Sequence, residues 1–200
     1  MSENLPSATN RLVGIAILGA LVVVLQVFAG FFSFGAFSIS LVLVPIVIGA
    51  ALYGPGAGAL LGGAFGTVVL INCINGSDVG GSILWTARPF ITAILCLFKG
   101  IMAGYGAGIA YRLLAKKNSY FAALIAAFVS PVVNTGIFLC AMFLFYRPIL
   151  LQWAGDSALL VFLFVGLAGV NFLLELAVNL LLSPGIVRII DSIAKKPIDN

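Results

Sequence analysis

Residues 12–77 contain no charged side chain. A chain with so long an uncharged stretch has little with which to face water, and lipid is the solvent that suits it. The bias extends through the protein, which is 62% hydrophobic and 8% charged, where a soluble domain would carry about a quarter charged residues. The expected fold class is therefore all-α: a polytopic membrane protein forming one integral-membrane domain over residues 1–200, with almost no room for a soluble domain. The first apolar segment is too long for a signal-peptide core and has no obvious cleavage site, so it reads as a retained span.

Inside the uncharged stretch lies VPIVIGAALYGPGAGALLGGAFG, residues 44–66, in which two apolar segments meet at Gly54-Pro55, a turn signal. Gly54, Gly58, Gly62 and Gly66 then recur every four residues. On a helix they form one stripe without side chains, along which a second helix can approach to backbone contact. The stripe serves either static packing or a sliding surface in a transporter.

The apolar segments predict six spans, at about residues 11–31, 40–53, 55–72, 88–114, 120–146 and 157–182. The second is short, rising only about 21 Å as a helix against roughly 30 Å of hydrocarbon. Charge placement decides whether it crosses. With six crossings the amino terminus, the basic loop of Arg112, Lys116 and Lys117, and the tail with Arg188, Lys195 and Lys196 all lie in the cytoplasm. With five, the basic loop would fall outside, against the positive-inside rule. Both termini are thus expected inside. The net charge of +4 is spread over helix ends in this pattern and does not call for nucleic acid.

Three outer connections follow, at residues 32–38, 73–87 and 147–156. The middle one, CINGSDVGGSILWTA, is the longest and most polar; it reads as a cover over a site or as a plain connector. Beyond the sixth span, Ser183-Pro184-Gly185 is expected to interrupt the helix. Ile186, Ile189, Ile190 and Ile193 share one face after it, with Arg188, Asp191, Lys195 and Lys196 on the other, an amphipathic end suited to the interface.

Ionisable groups within spans are costly and point to function or pairing. Arg88, Thr92 and Lys99 lie within about 40° of one another on a helical wheel, with Lys99 about 16 Å inward of Arg88. The Arg88 guanidinium suits a carboxylate or phosphate, or anchors the helix at the interface. Lys99 and Glu175 come at comparable depths, so they read as a buried pair or as groups facing a ligand cavity. Asn171, Glu175 and Asn179 form a polar ridge on the sixth span, and Asn134-Thr135 follow Ser130-Pro131 on the fifth. Such a ridge beside a proline-bearing polar helix fits a small-molecule site, or interhelical hydrogen bonding.

Catalytic patterns are missing. The chain has no histidine, no Walker A motif and no carboxylate pair spaced for a metal, and its glycines do not form G-x-G-x-x-G because Leu61 stands at the third position. Cys73, Cys96 and Cys140 are far apart in sequence and match no metal-ligand spacing; no redox argument follows from them. No enzyme and no cofactor is expected.

The chain resembles the substrate-binding S component of energy-coupling factor (ECF) vitamin transporters over nearly its whole length. The resemblance rests on Ala16-x-x-x-Ala20 in the first span, Val44-Pro45, Gly54-Pro55-Gly56-x-Gly58, the basic loop after the fourth span, and the polar positions Asn134-Thr135 and Asn171-x-x-x-Glu175. It implies a subunit in the plasma membrane of a prokaryote that captures a vitamin or vitamin precursor from outside, under the first and third outer loops. It also implies partners on separate chains, a membrane coupling subunit and two ATPases, and a toppling motion that releases the cargo inward. Ala16 and Ala20, with Gly54, Gly58 and Gly62, would supply the docking surface. Arg88, Lys99, Asn134, Asn171 and Glu175 would contact the substrate, and the generic and pantothenate-type members are the most similar. The rival reading is a stand-alone secondary transporter or channel with Lys99 and Glu175 as a proton or ion relay; a purely structural membrane subunit is the third.

Overall fold

The computed structural model describes residues 8–29, 33–34, 37–38, 42–167 and 169–194. Among the described residues, four helices are long and apolar enough to cross a membrane, α1 (Ala8–Ala29), α3 (Pro55–Asn75), α5 (Pro89–Leu114) and α6 (Ser119–Phe145), and the bent pair Arg147–Ala154 and Leu159–Leu167 makes a fifth if it is one span. Between them lie α2 (Leu43–Tyr53) and α4 (Val79–Ala87), and after them α7 (Arg147–Ala154), α8 (Leu159–Val161), a π-helical turn over Phe162–Leu167, and α9 (Gly169–Ala194). After α1, two short strands, β1 (Ser33–Phe34) and β2 (Phe37–Ser38), pair antiparallel as Ser33↔Ser38 and Phe34↔Phe37. The helices carry large exposed apolar side chains on their outer faces, Phe90, Leu113, Leu144 and Leu181 among them, as lipid contact demands.

Helices α3 and α5 form the tightest contact. A Cβ on Gly58 would collide with the Gly104 carbonyl, one on Gly62 with the Gly100 carbonyl, and one on Gly66 with the Cys96 carbonyl. From the other side, Gly100 and Gly104 meet the carbonyls of Gly62 and Gly58, and Gly108 meets Pro55. Residue numbers rise on α3 as they fall on α5, so the helices are antiparallel and each presents a four-residue glycine repeat to the other. Dispersion between backbones, unobstructed by side chains, holds such a pair together in lipid. Gly58 and Gly62 are buried against α5 within the chain and are not open to a partner.

Helix α2 is apolar all round and buried from Pro45 to Ala50, the mark of a helix enclosed by others. It packs on α1, α3, α5, α6 and α9. Its 11 residues rise about 16 Å. The Arg11 guanidinium donates to the Tyr53 carbonyl at 3.0 Å, covering the end of α2 with a cation. Gly54, at φ 91°, then turns the chain, and Pro55 opens α3 at a position where its missing N–H costs nothing.

Three expectations are revised. The middle connection is largely helix: α3 runs on to Asn75, Gly76 at φ 80° ends it, and Asp78 caps α4 by accepting from the Gly81 N–H at 2.8 Å. Residues 147–154 of the last connection are α7, which meets the α8–π segment at a 96° bend. Ser183-Pro184-Gly185 does not interrupt α9, which continues to Ala194. Pro184 cannot donate to the Leu180 carbonyl, but the Ser183 hydroxyl does so instead, at 2.7 Å. The isoleucine side chains at 186, 189, 190 and 193 lie outside what is described, as do Lys195 and Lys196.

Gly62→Ala is expected to lower the unfolding temperature in detergent, because its methyl meets backbone that cannot step aside; overpacking of this kind costs about 1–3 kcal/mol. Gly136→Ala is the control. Nothing lies within 4 Å of its added carbon in mid-α6, and the helix should gain up to about 1 kcal/mol.

Candidate substrate site

The end of the bundle that carries α4 and α7 is tied together at Arg88. This residue separates α4 from α5, and its carbonyl accepts from the Thr92 N–H at 3.0 Å and the Thr92 hydroxyl at 2.9 Å. The Tyr146 hydroxyl, at the end of α6, lies 2.7 Å from the Thr92 hydroxyl and donates to the same carbonyl at 3.4 Å. Tyr146 is 1% exposed and packs with Leu84, Leu95, Met142 and Leu150. The hub thus joins α4, α5, α6 and α7 around one oxygen. The Arg88 side chain itself is exposed, at the rim.

Lys99 stands eleven positions further along α5, half-buried, about 16 Å from Arg88 by helical rise. Its ammonium lies 5.8 Å from the ring centre of Phe65 on α3 and 5.5 Å from that of Phe138 on α6. Two aromatic faces stabilise a cation electrostatically without neutralising it. Asn134 precedes Phe138 by four residues and therefore shares its face of α6. Asn134 is 6% exposed, and its Oδ1 has no hydrogen-bond partner among the described residues; the Oγ of Ser130, one turn further, is in the same position.

Helix α9 packs on α6 and brings a second buried polar row. Glu175 is 7% exposed and Asn179 fully buried. The Asn179 amide donates to the Glu175 carbonyl at 2.8 Å, while its Oδ1 has no partner among the described residues. Asn171 lies on the same helix one turn before Glu175; its side chain is outside what is described. A buried polar atom without a partner costs about 1–3 kcal/mol, so three on two adjoining helices mark a place suited to a polar guest or to water.

Two features escaped sequence reasoning. Nothing in the sequence singled out Phe65 or Phe138, although the spacing of Asn134 and Phe138 places those two on one face. Asp78 sits in the turn before α4, where burial pushes its carboxyl above the ordinary 3.8, against the pull of the Gly81 N–H and of Lys99.

On the far side of α3 runs an open groove of about 780 Å³ between α1, α3 and α5. Ala16 and Gly19 of α1, Gly56, Ala59 and Gly63 of α3, and Ile101 of α5 line it. Ala16 and Ala20 are both exposed. Here two helices offer small residues outward, which the α3–α5 seam does not.

The raised carboxyl of Asp78 sets a pH dependence. Its contribution to stability is fully present below 3.8 and is lost as pH rises through the raised folded value, because ionisation then takes place in a buried site. Asp78→Asn keeps a cap for α4 and removes the titration. Unfolding temperature measured from acid to neutral pH should fall in the wild type relative to Asp78→Asn; parallel curves would contradict this.

Residues 10–187 fit the family model described as "ECF transporter, substrate-specific component". No curated protein matches the chain.

Proposed function

The chain belongs to the substrate-specific components of ECF transporters, a family of helical membrane proteins that bind substrate for transport, and within it we propose capture of a small carboxylate from outside the cell. Pantothenate is the substrate we favour: it offers a carboxylate at one end and hydroxyl and amide donors along the rest. The observation that supports this reading is the Lys99 ammonium held between Phe65 and Phe138, with Asn134, whose Oδ1 has no hydrogen-bond partner among the described residues, one helical turn before Phe138. The ammonium would receive the carboxylate, in surroundings where aromatic faces have displaced water without cancelling the charge. Ligand hydroxyl and amide protons would satisfy Asn134 and Ser130, with Asn171 and Glu175 on α9 completing the polar wall. Arg88, exposed at the rim, would attract the anion and steer its entry.

In this proposal the chain forms a single integral-membrane substrate-binding domain of six crossings, with α2 as the short second one and both ends in the cytoplasm of a prokaryotic cell. The α4 and α7 end then faces outward, and β1–β2 lies at the same end, against α4. Release inward would depend on a membrane coupling subunit and two ATPases on separate chains. Their docking face would be the α1–α3 groove, where Ala16 is accessible and where Gly56, Ala59 and Gly63 replace the buried Gly58 and Gly62, together with the exposed Ala20 on α1. Gly54, half-buried at the α2–α3 turn, would adjust the angle between those helices.

Lys99→Met retains the length and apolar stem of the side chain and removes the charge. Binding of radiolabelled pantothenate to the purified protein should weaken about 10–100-fold, as expected for the loss of a charge-assisted hydrogen bond of about 1.5–3 kcal/mol. Unchanged affinity would remove Lys99 from the site. Ala16→Trp fills the groove. It should abolish co-purification of the coupling subunit and leave pantothenate affinity as it was; intact co-purification would move the docking face elsewhere.

A further inference from the structure

Cys73 and Cys96 are separated by 22 residues of chain and meet in the fold. Cys73 lies near the end of α3, Cys96 on the facing side of α5, and their sulfurs are 3.9 Å apart. The two are 3% and 4% exposed. Helix α4 roofs the pair. A Cβ on Gly81 would collide with the Cys73 sulfur, so the thiol occupies space that the glycine leaves free, beside the Asp78 cap. Cys140 lies on the exposed face of α6 and takes no part.

We propose that Cys73 and Cys96 form a reversible dithiol–disulfide site that, when oxidised, locks α4 against the α3–α5 seam. The sulfurs must approach by about 2 Å, a distance within reach of rotation about Cα–Cβ. Two turns along α3 from Cys73, Gly66 abuts the Cys96 carbonyl, so the two backbones are in contact close to the pair. The oxidant must be small and uncharged to reach buried thiols, and hydrogen peroxide is of that class. One sulfur attacks a peroxide oxygen, the O–O bond breaks, and water leaves with a sulfenic acid behind it. The second sulfur displaces the sulfenic hydroxyl as a second water, forming the S–S bond. In total two thiols lose two protons and two electrons, and peroxide is reduced to two waters.

The bond would close residues 73–96 into a covalent ring that contains α4, its Asp78 cap and the Arg88 hub. Within that ring α4 keeps its contacts but loses the freedom to swing away from α3 and α5. The chemistry of the site does not depend on which substrate the protein binds.

The test uses the full-length protein with Cys140→Ser, an exposed substitution that leaves two thiols to count. After peroxide treatment, unfolding and alkylation with a maleimide, both reactive thiols should be lost together, the intact mass should fall by two hydrogens, and a phosphine reductant should restore both. Hydrogen exchange of the 79–87 amides should slow in the oxidised protein and recover on reduction. Two thiols still alkylated, or oxygen added to one sulfur without loss of the other, overturns the site. A disulfide that leaves exchange in α4 unchanged overturns the lock.

Discussion

Backbone contact between α3 and α5 is the interaction on which the rest of this structure depends. In lipid there is no hydrophobic force to drive one apolar helix onto another, and close approach must supply the attraction. Interlocking glycine repeats do so, with Gly58, Gly62 and Gly66 set against Gly104, Gly100 and the Cys96 carbonyl. The seam fixes the axial register of the two helices. Register in turn sets Phe65 beside Lys99, and Cys73 beside Cys96. Helix α6 joins through fully buried alanines, Ala122, Ala123, Ala126 and Ala127, and brings Phe138 to the other side of the ammonium. The candidate site is thus a consequence of two small-residue interfaces, one of glycine and one of alanine.

The far end of the bundle is held by polar means. One carbonyl, at Arg88, collects the Thr92 and Tyr146 hydroxyls where α4, α5, α6 and α7 converge. Asp78 caps α4 at a cost, since its carboxyl is buried enough to resist ionisation. These few bonds hold α4 over the seam, set on Cys73 through a glycine. A covering element held in this way can move while the seam beneath it stays fixed, which suits a family that must admit and then release a substrate.

Much of this was legible in the sequence, and for identifiable reasons. The uncharged run required lipid, the glycine repeat required a close helix partner, and Gly54-Pro55 required a turn. The partner was not legible: Gly100, Gly104 and Gly108 form the answering repeat, but only their placement in space shows it. The same limit hid the cysteine pair, whose sequence separation gave no hint that antiparallel helices would bring the sulfurs into contact. Pro184 misled because a helix break was inferred from the missing N–H alone, when the preceding serine hydroxyl supplies the bond to the Leu180 carbonyl. The connections became α4 and α7 because Asp78 and a proline after Arg147 start helices in segments read as plain connections between spans. Of the predicted substrate residues, Lys99 and Asn134 come within a helical turn of the same aromatic platform, Glu175 lies buried on the adjoining helix, and Arg88 stands apart at the rim.

The central claim is that this fold holds a small carboxylate inside the bundle. Its most direct test is to purify the protein in detergent from cells supplied with a panel of vitamins, unfold it, and identify by mass spectrometry what it releases. The account predicts one small carboxylate in near-equal amount to the protein, and much less of it from the Lys99→Met variant. Recovery of no ligand, or of one without a carboxylate that Lys99→Met retains in full, would contradict it.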